Sequence, residues 1–293
     1  MSNLIQIKKN LEKYNKIPKK SLGQNFLINP EITKKIAGLC LGDGVIEIGP
    51  GLGALTFELC KIYKKVVAVE IDKTFEPLLN EPLSDCNNIK IIFGDILKID
   101  LRDLIQKEFA GFERINICAN LPYYITTPVI LKLIKSCVKY NAITVMIQKE
   151  AADKFCSKAG EKNYNATSAI INYYGEAKKI FSVAKSNFYP QPNVLSTVVK
   201  ITPHEVPIAN PKSEDLMYKI INFAFEHRRK TLVNALITGL NINMTDKNKI
   251  ADIVKKIAGE KSENIRGEEL DIKAFSDISD LIYHEIKYKI NIK

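Results

Sequence analysis

A glycine-rich turn, Glu47-Ile48-Gly49-Pro50-Gly51-Leu52-Gly53, follows one short β-branched run and opens a helix-like one. No other feature constrains the fold as much. Glycines at such a strand–helix junction let the backbone turn sharply and approach a ligand closely, because they carry no Cβ. Glu70 lies 21 residues after Gly49, at the end of the next β-branched run. A carboxylate there suits the two hydroxyls of a ribose. Gly49-x-Gly51-x-x-Ala54 also fits the dinucleotide fingerprint of a nicotinamide dehydrogenase loosely. A tight turn followed by a surface Glu needs no ligand at all, and this motif alone does not separate these readings.

The surrounding pattern extends the constraint. Strand-like runs at 45–48, 66–70, 89–93, 115–119 and 142–148 alternate with helical patterns at 54–63, 73–79 and 128–138. Alternation of this kind predicts a parallel sheet with helices on both faces. Runs at 177–183 and 194–201, joined by Pro-rich sequence, predict a late hairpin on the sheet edge, where proline is tolerated. Prolines at 203, 207 and 211 then punctuate the chain. Beyond them only helical periodicity remains, at 216–225, 232–237, 249–258 and 275–287. The sequence therefore predicts an α/β domain over residues 1–205 and a small all-helical domain over 206–293.

The chain has 293 residues, long enough to bury its own core without disulfide or metal staples. Its formal charge is +10. That favours a polyanionic partner, nucleic acid before an anionic membrane, although a Lys-, Ile- and Asn-rich composition can produce the same excess. Half of it sits in residues 1–20, with Lys8, Lys9, Lys13, Lys16, Lys19 and Lys20 against Glu12 alone. This segment reads as a frayed solvated tail or as a basic RNA arm. The six cysteines form no C-x-x-C pair and the three histidines no cluster, so no metal is expected and most cysteines read as buried small hydrophobes in a reducing compartment. No apolar run reaches the roughly 18 residues of a membrane span, and no signal peptide precedes the Lys-rich start. The expectation is a cytoplasmic protein.

Two further strand ends carry chemistry. After Gly94, Asp95 can accept from an adenine amino group while the Ile96 N–H donates to the ring, although Gly-Asp after a strand is commonly just a turn. Asn120-Leu121-Pro122-Tyr123 ends the fourth run, at the carboxyl edge where open α/β sheets hold ligands. A plain Pro-containing turn accounts for such a tetrapeptide too. The chemistry nevertheless gives each residue a task. An exocyclic amine is a poor nucleophile because its lone pair is delocalised into the ring. The Asn120 side-chain oxygen and the Leu121 carbonyl can hold its hydrogens and draw the nitrogen towards tetrahedral geometry. Pro122 fixes the backbone angle, and Tyr123 offers a face on which a base stacks. No general base is required, because the amine becomes acidic only as a methyl arrives.

These residues resemble the KsgA/RsmA family of small-subunit rRNA adenine dimethyltransferases, relatives of the Erm resistance methyltransferases. The resemblance runs through Gly23-Gln24-Asn25-Phe26-Leu27, the 47–53 loop, Glu70-Ile71-Asp72, Gly94-Asp95 and Asn120-Leu121-Pro122-Tyr123-Tyr124-Ile125-Thr126-Thr127-Pro128. It continues through Gln148-Lys149-Glu150, Phe188-Tyr189-Pro190-Gln191-Pro192 and Arg228-Arg229-Lys230. It implies a Rossmann-like class I methyltransferase fold and S-adenosyl-L-methionine as cofactor. The cofactor set it implies is Asn25 and Leu27 in a closing segment, Gly49 and Gly51 at the methionine moiety, Glu70 at the ribose, Asp95 and Ile96 at the adenine, and Asn120. Asn120, Leu121, Pro122 and Tyr123 would hold the target amine, with Phe188 stacking on the other face of the base. The implied substrate is a pair of adjacent adenines in the 3′-terminal hairpin of 16S rRNA within a pre-30S particle, and the expected state is a monomer.

The glycine loop and Asn120-Leu121-Pro122 resemble this family more than Erm, which tends to have Ser-Gly-Lys and Ile-Pro there. An Erm-type enzyme acting on 23S rRNA remains the rival substrate reading, and an assembly factor that acts by binding is the rival of another class. A dehydrogenase lacks any constellation to manage a hydride acceptor. The chain departs from the family pattern at Tyr164-Asn165-Ala166-Thr167-Ser168, where Tyr-Gly-x-Leu-Ser is usual, and at Val194-Leu195-Ser196, where Val-Asp-Ser is usual. Arg228-Arg229-Lys230 would bind RNA phosphates. A basic trio closing a helix is also favoured by the macrodipole alone.

Overall fold

The computed structural model describes residues 4–19, 22–39, 42–136, 138–241 and 246–286. Lys20, Cys40, Cys137 and Lys287, which figure in the sequence reading, lie outside the described residues. The chain divides into two compact units, residues 1–152 with 177–203, and residues 153–176 with 204–293.

The first unit begins with α1 (Leu4–Lys13), β1 (Phe26–Leu27) and α2 (Pro30–Ala37). Alternating elements follow: β2 (Gly44–Ile48), α3 (Ala54–Ile62), β3 (Lys65–Glu70), α4 (Glu76–Asn80), β4 (Ile89–Phe93), α5 (Leu101–Glu108), β5 (Ile115–Asn120), α6 (Thr126–Lys135), β6 (Ala142–Gln148) and α7 (Lys149–Phe155), whose last residues begin the second unit. Strands β7 (Gly175–Val183), β8 (Phe188–Tyr189) and β9 (Ser196–Pro203) come last. Seven strands form one sheet in the order β4-β3-β2-β5-β6-β9-β7. Strands β2 to β6 pair in parallel, while β9 runs antiparallel to β6. The predicted strands are thus all present, and the late hairpin occupies the edge. The order reverses between β2 and β5, which is where an open α/β sheet leaves a crevice at its carboxyl edge.

The sequence reading left α1, α2, α5 and the pairing of β1 with β8 unassigned. Helix α1 is not a frayed tail. Ile7 and Leu11, four apart on one face, are buried against Phe26, Phe75, Leu78, Leu79 and Leu83. At the end of the helix, Lys13 Nζ and the Tyr14 hydroxyl both reach the Glu81 carboxylate, at 2.8 and 2.6 Å. Of the cysteines, Cys118 is fully buried on β5, whereas Cys60, Cys86 and Cys156 are only partly so; none of the four is in a disulfide.

The second unit contains α8 (Ala166–Tyr174), α9 (Glu214–Glu226), α10 (Leu232–Gly239), α11 (Lys247–Ala258) and α12 (Ile272–Ile286). Its core joins Leu216, Ile220 and Ile221 of α9 to Leu236, Ile253, Phe275 and Ile278. The sequence placed residues 153–176 in the first domain; they belong to the second unit. Helix α8 buries the short run Ala169-Ile170-Ile171 with no Pro- or Gly-rich linker before it, so no composition shift marks the crossing. The departure at Asn165 has a local explanation. Its side chain accepts from the backbone N–H groups of Thr167 and Ser168, while the Ser168 hydroxyl accepts from the Asn165 N–H, closing a capping box. Asn and Gly both serve as helix N-caps, so the position keeps its role. Among the described residues no helix is long and apolar enough to cross a membrane.

Candidate active site

A cavity of about 350 Å³ opens at the carboxyl ends of β2, β3, β4 and β5. Its walls bring together every candidate cofactor and catalytic residue of the first unit: Asn25, Leu27, Gly49, Gly51, Glu70 and Asp95 with Ile96, and the 120–123 run with Phe188. Arg228, Arg229 and Lys230 lie in the second unit, after α9.

The glycine loop forms one wall. Gly49 and Gly51 have φ of +70° and +58°, in the left-handed region that penalises any side chain. Around the position of a Cβ on Gly49 there is open space, and one on Gly51 would lie 3.2 Å from the Phe26 ring. Glu70, 4% exposed, holds the loop from below: one oxygen accepts from Gly51 N–H at 3.1 Å, the other from Asp72 N–H at 2.8 Å. Each carboxylate oxygen keeps a second lone pair for a ligand hydroxyl. Asp95 Oδ1 accepts from Leu97 N–H at 2.9 Å, tightening the turn that carries the buried Ile96.

The opposite wall is built on β5. Asn120 Nδ2 donates to the Asn25 carbonyl at 3.1 Å. A carbonyl only accepts, so this bond settles which end of the amide is which and leaves Oδ1 as an acceptor. Tyr123 begins a 3₁₀ turn after Pro122, and its hydroxyl hydrogen-bonds Ser196 Oγ at 3.0 Å. Burial raises the Tyr123 phenol above its ordinary value, so it stays neutral. Ser196 is a partner the sequence reading passed over. It belongs to the Val194-Leu195-Ser196 departure, and that departure keeps the serine that touches Tyr123.

The segment around Asn25 and Leu27 is paired directly with Phe188. In β1 and β8, Leu27 stands opposite Phe188 and Phe26 opposite Tyr189. Residues 95 or more apart in sequence are thereby tied at the mouth: Asn25 to Asn120, Leu27 to Phe188.

Glu47, in the loop motif but given no role by the sequence, is the most unusual group in the cavity. The run Val45-Ile46-Glu47-Ile48 puts one acid in an otherwise apolar, buried strand, and that was the available signal. The residue is 1% exposed and lines the cavity, yet its Oε2 has no hydrogen-bond partner; nor has the buried Thr56 hydroxyl. Burial, reinforced by the Glu70 carboxylate, pushes its carboxyl up to about 8. Between the ordinary carboxylate range and about pH 8 the folded protein therefore holds a proton that the unfolded chain has released. The stabilisation this provides is full in acid and is lost as pH rises towards 8. Glu47→Gln cannot ionise, so its melting temperature should fall less than that of wild type between pH 5 and pH 8.5. Equal falls in the two proteins would show that Glu47 is ionised when buried.

A buried carboxyl with an unpartnered oxygen, a second carboxylate and the aromatic side chains of Tyr123 and Phe188 in one lining fit a nucleoside ligand. The sequence profile of ribosomal RNA adenine dimethylases matches residues 15–267. The chain belongs to that family. Ribosomal RNA small subunit methyltransferase A of Bacillus pumilus is 42% identical over 283 residues, covering 95% of this chain and 96% of the relative. The protein of the same name from Clostridioides difficile is 39% identical over 282 residues, with the same coverage. Among solved structures, a dimethyladenosine transferase from Plasmodium falciparum superposes with a TM-score of 0.72 at 26% identity, covering 90% of this chain and 98% of that one. The 23S rRNA methyltransferase ErmE, at 19% identity and a TM-score of 0.63 over 87% of this chain and 98% of its own, shares the fold. The Rossmann-like sheet expected from the sequence is thus that of a methyltransferase.

Proposed function

We propose that this chain transfers methyl groups from S-adenosyl-L-methionine to N6 of two adjacent adenines in the 3′-terminal hairpin of 16S rRNA, within a pre-30S small ribosomal subunit. The observation that carries the reading is Asn120, its amide oriented by the Asn25 carbonyl, lining one cavity with the aromatic residues Tyr123 and Phe188 and the acids Glu47 and Glu70. The names of the near-full-length relatives support the small-subunit substrate.

The bound cofactor supplies an electrophilic methyl on a cationic sulfur. Glu70 would accept from its ribose, Asp95 and the Ile96 N–H would take its adenine, and the bends at Gly49 and Gly51 would admit its methionine end. Asn120 Oδ1 and the Leu121 carbonyl would hold the two hydrogens of the target amine. Tyr123, fixed by Ser196, and Phe188, fixed by Leu27, would clamp the base from both faces. Positioning and a preorganised polar surround do the work, with no side chain asked to remove a proton first.

In the second unit, Arg228-Arg229-Lys230 would contact RNA phosphates. Arg228 is bonded to Glu268 at 2.6 Å, whereas Arg229 and Lys230 make no ion pair among the described residues. We assign the protein to the cytoplasm and to a monomeric state.

Incubating the protein and labelled S-adenosyl-L-methionine with unmethylated small subunits, large subunits and naked rRNA tests the reading. Dimethyladenosine should form in the small subunits; label confined to large subunits or 23S rRNA would establish the Erm-type alternative instead.

A further inference from the structure

Helix α1 turns one face inward, and the other carries cations. Ile7 and Leu11 are buried, while Lys8 and Lys9 are exposed and make no ion pair among the described residues. Other lysines of the N-terminal segment are spoken for: Lys13 is bonded to Glu81 and Lys19 to Asp72, the latter at 2.7 Å. Glu12 is the single acid on the helix. Lys8 is also placed. Its ammonium sits 5.5 Å from the centre of the Tyr189 ring, a cation–π contact that holds the charge against β8. Tyr189 pairs with Phe26, which packs against Ile7 and Leu11 and lines the cavity, so helix α1 borders the rim of the cavity at Phe26.

A base drawn into the cavity brings its own phosphates to that rim. Two ammonium groups with no carboxylate partner among the described residues, on a helix packed at that rim, match a polyanionic strand in charge. We propose that the exposed face of α1, through Lys8 and Lys9, binds the phosphate backbone of the RNA strand that carries the target adenine. This rests on the function proposed above. It gives the basic N-terminus a substrate contact at the cavity mouth, in a unit separate from that of Arg228-Arg229-Lys230.

The experiment compares wild type with Lys8→Ala/Lys9→Ala and with the reversal Lys8→Glu/Lys9→Glu, on unmethylated small subunits, between 50 and 200 mM salt. Each phosphate contact contributes about one unit to the salt slope, so the alanine pair should lower that slope by up to two and weaken binding about tenfold near 100 mM salt. The glutamate pair should weaken it further. Calorimetric affinity for S-adenosyl-L-methionine and the melting temperature should stay at the wild-type values, since neither side chain is buried or lines the cavity. An unchanged salt slope would overturn the proposal. So would loss of binding to phosphatidylglycerol vesicles with subunit binding intact, because exposed Leu4 and Ile5 beside these lysines would then mark a lipid surface. If wild type methylates no small subunit, the proposed function has failed; if it does and both variants match it in binding, only this contact has failed.

Discussion

Asn120→Ala should lower turnover by roughly 10²–10³ while leaving affinity for S-adenosyl-L-methionine nearly unchanged, the scale set by losing one preorganised polar contact in a site shielded from water. The amide spends an N–H on the Asn25 carbonyl, which leaves its oxygen as the acceptor that the proposed function assigns to the substrate amine. Alanine removes both the acceptor and the tie that fixes it. Asn120→Asp separates the two effects, because a carboxylate restores an acceptor but cannot donate to the Asn25 carbonyl. Single-turnover methylation of small subunits, with cofactor affinity measured in parallel by calorimetry, reads the outcome. Dimethyladenosine formed by Asn120→Ala at close to the wild-type rate would remove Asn120 from the mechanism.

The second large effect is on the cofactor. Hydrogen bonds to a charged group contribute about 1.5–3 kcal/mol, so Glu70→Ala should weaken cofactor binding roughly ten- to over a hundredfold. Glu70 also accepts from Gly51 and Asp72, so alanine loosens the glycine loop as well as removing the ribose acceptor. Glu70→Gln keeps one acceptor oxygen and should fall between alanine and wild type. Calorimetry of the three proteins decides it; unchanged affinity in the alanine variant, or tight binding of a nicotinamide dinucleotide by wild type, would sink the assignment.

The five parallel strands were legible because each is a β-branched run ended by a glycine, a carboxylate or an amide, and parallel pairing inside an α/β sheet favours such runs. The cofactor wall was legible for the same reason: Gly49, Glu70, Asp95 and Asn120 all stand at strand ends, where the fold itself puts them in one crevice. Contacts that depend on long loops were not. Nothing in Ser196 announces that it meets Tyr123, and the two-residue pairing of Leu27 with Phe188 is too short to carry a pattern. Helix α1 was missed because its apolar positions, Ile7 and Leu11, are few and sit among lysines that read as a tail. The assignment of residues 153–176 went astray because α8 completes a core whose other walls lie after residue 213.

That last arrangement bears on how the protein is made. Ala169, Ile170 and Ile171 leave the ribosome some forty residues ahead of α9 and more than a hundred ahead of Phe275 on α12. During synthesis the α8 segment therefore waits with its apolar face open, while β7 and β9, on either side of the Pro-rich connection, complete the edge of the sheet. A message cut after codon 205 would yield a chain that never closes this gap. Such a fragment, attractive on paper as a minimal methyltransferase, would keep an orphan helix looped out of its middle and should aggregate unless residues 153–176 are excised with the tail.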